Sequence, residues 1–266
     1  MSLHHHFLEQ CRAPFGIVRT VGPWTWVQVH PDLPVRVYPA GDSLDREERS
    51  SIEEVLDDIR GERNPAEIRW LLWEPPRRDT LRTALRAARL SHRGDFPAMS
   101  GSLHGAGRPA MRDGVVRAAA REELDVRPVR STAEAEEWVR IYTEANEYDR
   151  TTTSAFLETL PEAWRRRTDS EWYLGYRSER AVTCAKLRLE PDLEHGERYA
   201  GVYQLATRHA HRGRGYAGAV MVELMARAAE RGCTRALLQA ELEAQRLYER
   251  LGFAVDSALV VYELKG

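Results

Sequence analysis

Residues 17–39 interleave β-branched and aromatic side chains with Gly-Pro and Pro-Asp pairs, a pattern that predicts extended strands broken by turns. Between Ser43 and Arg60, Leu44, Ile52, Val55, Leu56 and Ile59 fall on one stripe, which predicts a helix with Ser43 as its cap. IRWLLWEPP is a short apolar run stopped by Pro75 and Pro76, hence a buried strand; Asp79 then caps a helix carrying Leu81, Leu85, Ala88 and Leu90. Residues 91–113 are rich in Gly, Ser, His and Pro and read as loop, followed by a charged helix-like piece from Val115 to Leu124. The second half is more regular. DVRPVR predicts a strand, Ser131 caps a helix with Trp138, Ile141 and Tyr142 inward, and a second helix runs over 153–166. Two strands then flank a turn at Arg177–Arg180, and RYAGVYQLAT is a third. A helix begins near Tyr216, TRALLQA is a strand, EAQRLYERLG a helix, and FAVDSALVVYEL a closing hairpin. This order predicts an α/β (α+β) chain with a mixed, mainly antiparallel sheet flanked by helices. The length of 266 residues fits two domains, 1–124 with a linker near 91–124, and 125–266.

Composition narrows the class. Apolar residues at 42% and charged residues at 30% fit a folded globular chain. No apolar run reaches the roughly 18 residues of a membrane span, and no signal pattern opens the chain, so the expectation is a cytoplasmic protein without a membrane partner. From Asp125 onward there are 23 acidic and 21 basic residues, and 18 of each before it, so neither half has the bulk charge of a nucleic-acid binder. Cys11, Cys184 and Cys233 are scattered without metal-ligand spacing and read as free thiols. His4, His5 and His6 receive no metal role, and no metal site is expected.

The chemistry concentrates before the helix at Tyr216. Ala217, Val220, Met221, Leu224, Met225 and Ala228 recur at helical spacing, and Arg212, Gly213, Arg214 and Gly215 immediately precede them. The glycines allow a tight turn that exposes consecutive amides, and the helix start adds unpaired donors and partial positive charge. Those parts suit a pyrophosphate, with the two arginines adding charge. Taken alone they also fit a plain tight turn or a basic loop against nucleic-acid phosphate. The dinucleotide-binding fingerprint is absent, because no third glycine follows at the required spacing, and the P-loop lysine is missing.

The surroundings decide between these readings. Arg-x-x-Gly-x-Ala, at Arg212, Gly215 and Ala217, resembles the pyrophosphate signature of the GNAT superfamily of acyl-CoA-dependent N-acetyltransferases. AQRLYERLGF, Ala244 to Phe253, resembles that family's second signature, and one strand lies between the two. The resemblance covers about Asp125 to Leu264. It implies an acetyl-CoA cofactor with its pyrophosphate on the backbone amides of Arg212, Gly213, Arg214, Gly215, Tyr216 and Ala217. It further implies that the pantetheine arm pairs with the strand at Leu205, Ala206 and Thr207, between two splayed strands. Tyr248 matches the tyrosine that serves the departing thiolate, and is also readable as a core aromatic on the Ala244, Leu247, Leu251 stripe. Glu241 stands where many members have asparagine. Some relatives carry a glutamate base early in the fourth strand, and Gly201 holds that position here. Glu190, Tyr203 and Glu241 remain as bases, each with a surface or structural reading beside it.

The expected function is transfer of an acetyl group from acetyl-CoA to a primary amine by direct attack. The alternative is a non-catalytic acyl-CoA-binding sensor. The first half, through NPAEIRWLLWEPPRRDTLRTALRAARL and DFPAM, is similar to the degenerate half of tandem GNAT proteins. Such a half would wall the acceptor pocket, with Trp24, Trp26, Trp70 and Trp73 as apolar surface, or those tryptophans simply pack its core.

Overall fold

Strand-forming residues between Ile17 and Pro39 resolve into three strands in a computed structural model that describes residues 16–40, 48–62, 65–73, 79–103, 123–166, 170–191 and 198–265. The cap at Ser43, Leu44, the N-terminal histidines, Cys11 and most of the helix-like piece at 115–124 lie outside the described residues. The chain divides into two compact units, Met1–Pro97 with Ser257–Gly266, and Ala98–Asp256.

In the first unit, β1 (Ile17–Val21), β2 (Trp24–Gln28) and β3 (Val35–Pro39) pair antiparallel in sequence. Helix α1 (Glu48–Glu62) then crosses over to β4 (Glu67–Trp73), which runs parallel to β3 with Val35 opposite Ile68. Helix α2 (Asp79–Ala87) follows. The last strand of the chain, β11 (Ala254–Lys265), pairs antiparallel with β4 from Leu259 opposite Trp73 to Lys265 opposite Glu67. Trp24, Trp26 and Trp70 are fully buried with Val55, Leu56, Ile59 and Leu85. The Trp24 and Trp70 rings meet edge to face at 4.8 Å. Two of the three indole N–H groups are partnered, Trp24 donating to Ser51 Oγ at 2.9 Å and Trp26 to Asp58 Oδ2 at 2.8 Å, while that of Trp70 is buried without a partner. These three tryptophans are core, not the lining of a pocket.

The second unit includes β6 (Asp125–Pro128), α3 (Thr132–Ala145) and α4 (Arg150–Arg166). Ser131 caps α3 as its residue type predicts: Glu134 N–H donates to Ser131 Oγ at 3.2 Å, and Ser131 N–H donates to the Glu134 carboxylate at 3.0 Å. Strands β7 (Ser170–Arg177), β8 (Arg180–Pro191) and β9 (Arg198–Thr207) continue antiparallel from β6. Helix α5 (Tyr216–Glu230) crosses over to β10 (Arg235–Gln239), which is parallel to β9, and α6 (Gln245–Arg250) follows. The apolar stripe of α5, with Val220, Met221, Leu224 and Ala228, packs on Tyr173, Leu187, Ala200, Val202, Ala236 and Leu238. On the other face Trp138 packs at a tilt against Trp172, ring centroids 4.4 Å apart, and donates its N–H to the Ala185 carbonyl at 3.0 Å.

The two units share one plan: an antiparallel strand pair, a fifteen-residue crossover helix, a strand parallel to the second of the pair, and a shorter helix. The chain is therefore a mixed α/β protein with mainly antiparallel sheet flanked by helices, as its pattern predicts.

Two expectations from sequence fail. Residues 91–102 are not loop but β5 (Ser91–Ser102), in spite of Gly94, Pro97 and Gly101. Its residues Ala98–Ser102 pair antiparallel with β10, from Gln239 to Arg235, and its first residues reach β11, where Ser91 Oγ donates to the Glu263 carbonyl at 3.3 Å and His92 meets the Tyr262 ring. Ladder bonds offered by partners more than a hundred residues away outweigh the local turn signal. Residues 254–265 form one strand rather than a hairpin, for the same reason. The compact units part at Pro97/Ala98 and Asp256/Ser257.

Candidate active site

The site is built where β9 leaves its neighbours. Along β8, Lys186 faces Tyr203 and Cys184 faces Ala206, so Gln204 and Leu205 together stand opposite Ala185. Gln204 takes a left-handed backbone (φ 54°), which is how the extra residue is absorbed as a bulge. Thr183 Oγ1 donates to the Ala206 carbonyl at 2.7 Å and Thr207 Oγ1 to Thr183 Oγ1 at 3.3 Å, holding the strand beyond the bulge to β8. On the opposite edge, the parallel ladder with β10 runs from Tyr199–Arg235 to Val202–Leu238 and stops. Tyr203–Thr207 thus line an open fork between two parallel strands. At 3.3 Å per residue that edge is about 16 Å long.

A short 3-10 turn (His209–His211) and the residues 212–215 connect the fork to α5. Gly213 and Gly215 both have positive φ, 72° and 86°, and Gly215 is the N-cap of the helix. Ala219 N–H is the first to find its helical acceptor, the Gly215 carbonyl, so the amides of Gly215, Tyr216, Ala217 and Gly218 have no partner within the helix. The Tyr216 side chain is buried in the core under α5, and its hydroxyl donates to Glu123 at 3.2 Å. Only its main-chain amide faces the loop's task.

Basic side chains hold this loop in place. Arg208 donates through Nε to the Ala181 carbonyl at 3.2 Å and pairs with Glu137 at 2.7 Å and with Glu144, both on α3. Arg212 forks between the Thr207 carbonyl (3.2 Å) and the Ala145 carbonyl (2.5 Å) at the end of α3. Its guanidinium bonds main chain while remaining exposed, and Arg214 is a second exposed cation of the loop. Burial, then Arg214, Arg180, Arg177 and Arg208, push His211 below its usual range and keep it neutral at pH 7. The local field is positive, as a diphosphate requires.

Beyond β10, Glu241 and Leu242 are exposed. Tyr248 is buried on α6 in the cluster under α5, against which Leu205 also packs, and its ring meets Phe253 edge to face at 6.1 Å. Burial pushes its phenol up to about 12, so it carries its proton at neutral pH. The fold thus brings Leu205, Ala206 and Thr207 next to Arg212–Ala217 in one continuous run, with Tyr248 in the adjoining core. Sequence reasoning missed Gln204, whose left-handed backbone has no glycine to betray it, and the Arg208 anchor, which only the position of α3 reveals. The side chain of Glu190 lies outside what is described.

Residues 135–253 match the model of the acetyltransferase (GNAT) family. The fold is similar to that of a GCN5-related N-acetyltransferase from Kribbella flavida, with TM-score 0.68 and 19% identity over 99% of this chain and 93% of that one. It is also similar to a GCN5-related N-acetyltransferase from Sphaerobacter thermophilus, with TM-score 0.62 and 17% identity over 91% of this chain and 76% of that one. A functionally unknown conserved protein from Staphylococcus epidermidis follows it over 97% of both chains, with TM-score 0.64 and 9% identity. No curated protein matches. Over residues 135–253, then, this chain carries a domain of the acetyltransferase (GNAT) family.

Proposed function

We propose that the chain transfers an acetyl group from acetyl-CoA to a primary amine by direct attack. The observation that carries this reading is the junction of an open strand edge, Tyr203–Thr207, with four unpartnered amides at the start of α5. A diphosphate on the amides from Gly213 to Ala217, that of Arg212 being bonded to the His209 carbonyl at 3.2 Å, directs the pantetheine arm back along Thr207, Ala206 and Leu205 toward the apex of the fork. A main-chain amide on that edge then faces the carbonyl oxygen and stabilises the charge it gains during attack. Tyr248, protonated because burial disfavours its anion, supplies the departing sulfur with a hydrogen bond or proton. Thiols titrate near 8.5, well below this raised phenol, so the hydroxyl serves the sulfur chiefly through a hydrogen bond.

The first unit repeats the element plan without the signature. Between β3 and α1 its sequence reads AGDSLDRE, with Asp42, Asp45 and Glu47 against Arg46, a set that repels a diphosphate. One cofactor per chain is the expectation. No helix among the described residues is long and apolar enough to cross a membrane.

Calorimetry with acetyl-CoA, followed by thiol release over a panel of amines, tests the proposal. Micromolar binding and release with at least one amine support it, and Tyr248→Phe should lower release by roughly 100-fold at unchanged affinity. Absence of affinity for coenzyme A and its thioesters sinks it. Binding without release from any amine favours the sensor reading instead.

A further inference from the structure

Helix α3 is fixed to the sheet at its middle and to the glycine loop at its end. Trp138 is fully buried and donates its indole N–H to the Ala185 carbonyl at 3.0 Å. Glu137 stands beside it, and Glu144 follows two turns later on the same face of the helix. Both carboxylates reach Arg208, the first residue after β9. Arg208 is itself seated on β8, its N–H donating to the Val182 carbonyl at 3.0 Å and its Nε to the Ala181 carbonyl at 3.2 Å. Its Nη2 then pairs with Glu137 at 2.7 Å and its Nη1 with Glu144. Four residues on, Arg212 donates to the carbonyl of Ala145, the residue that closes α3, where helical donors have run out. The chain between the open strand edge and the helix α5 is thus pinned to α3 at two successive points.

Charge alone argues against these carboxylates. Arg208 faces two of them, so the three groups together are net negative. The next cation, Arg140, lies 3.8 Å from Glu137 but is held by Glu136 at 2.9 Å, and His209 lies 3.6 Å from the Glu147 carboxylate. By Coulomb's law Glu137 and Glu144 therefore weaken the grip of the adjoining loop on a diphosphate. Geometry acts with the opposite sign. The Arg208 side chain is only 14% exposed, and without its carboxylates that guanidinium would be left buried and poorly compensated. It would turn toward water and release the start of the loop. Glu137 and Glu144 are both partly exposed, so their repulsion of an anion is screened, whereas hydrogen bonds from main-chain amides weaken steeply once misaimed. Positioning outweighs repulsion.

Resting on the acetyltransferase reading above, we propose that Glu137 and Glu144 are positioning residues for the diphosphate of acetyl-CoA: by holding Arg208 they fix where the glycine loop begins, so two carboxylates outside the loop raise its affinity for an anion. The strand edge that receives the pantetheine arm has support of its own, because Thr183 Oγ1 donates to the Ala206 carbonyl at 2.7 Å and receives Thr207 Oγ1 at 3.3 Å. The clamp therefore acts on cofactor affinity and not on the turnover of bound cofactor or on the amine.

The test uses the full chain and calorimetry with acetyl-CoA at fixed salt. Glu137→Ala and Glu144→Ala should each weaken binding roughly three- to tenfold, and the double variant more than either. Glu137→Gln and Glu144→Gln keep a hydrogen-bond acceptor for Arg208 and should lose less than the alanine variants. Glu136→Ala removes a carboxylate of the same helix that lies outside the clamp, and should not weaken binding. Melting temperature should move little in all of them, since the side chains exchanged are partly exposed. In thiol release with any amine the wild type accepts, KM for acetyl-CoA should rise in the double variant while kcat and the amine KM stay within about twofold. Unchanged or tighter binding in the double variant overturns the proposal, tighter binding being the Coulomb result. Equal losses in the alanine and glutamine variants, or a loss in Glu136→Ala as large as in Glu144→Ala, overturn it too. Absence of acetyl-CoA binding by the wild-type chain is a different failure, that of the acetyltransferase reading.

Discussion

Replacing Gly213 isolates the conformation of the phosphate loop from its packing. The residue sits at φ 72°, and a Cβ there would meet nothing within 4 Å. Any effect of a side chain must therefore come from the backbone. Left-handed geometry costs an L-residue about 1–2 kcal/mol, more when the side chain is β-branched, and least for Asn. A free loop relieves that strain by turning residue 213 out of the left-handed region, which swings the neighbouring amides off the anion. Coenzyme binding must then restore the strained state, so 1–2 kcal/mol appears as roughly 5–30-fold weaker affinity. Calorimetric titration with coenzyme A at fixed salt should rank wild type close to Gly213→Asn, then Gly213→Ala, then Gly213→Val. The core packed under α5 does not involve this residue, so thermal unfolding should move little across the series. Equal affinity in Gly213→Val, or a loss in Gly213→Asn as large as in Gly213→Val, would refute the argument from φ.

Two further outcomes follow from packing and burial. Trp138→Ala removes a fully buried indole packed against Trp172 and should cost about 3–5 kcal/mol in chemical denaturation; Trp138→Phe, which mainly loses the bond to the Ala185 carbonyl, should cost less. The buried phenol of Tyr248 titrates near 12 when folded and near 10 when unfolded, so its contribution is whole below pH 10 and is lost as pH rises to 12. Two units correspond to about 2–3 kcal/mol, and Tyr248→Phe should flatten that part of the alkaline stability curve. An unchanged curve contradicts the burial assigned to this group.

What the chain declares locally, it declares well. The Ser131 cap, the stripe of α5, the strands on either side of Arg177–Arg180 and the glycine loop before Tyr216 all rest on residues within a few positions of each other. Periodicity, capping oxygen and positive φ are properties of short segments, so one sequence suffices to read them. Decisions that depend on a distant partner were invisible. Residues 91–102 become a strand because β10 and β11 offer them a ladder, and 254–265 stay extended because β4 does. Gln204 bulges because β8 holds the strand on both sides of it, and the fork opens because β10 stops pairing at Leu238. The Arg208 clamp on α3 is likewise set by folding. Local chemistry supplied the glycine loop and the free amides at the start of α5; long-range pairing and packing shaped the open strand edge beside them.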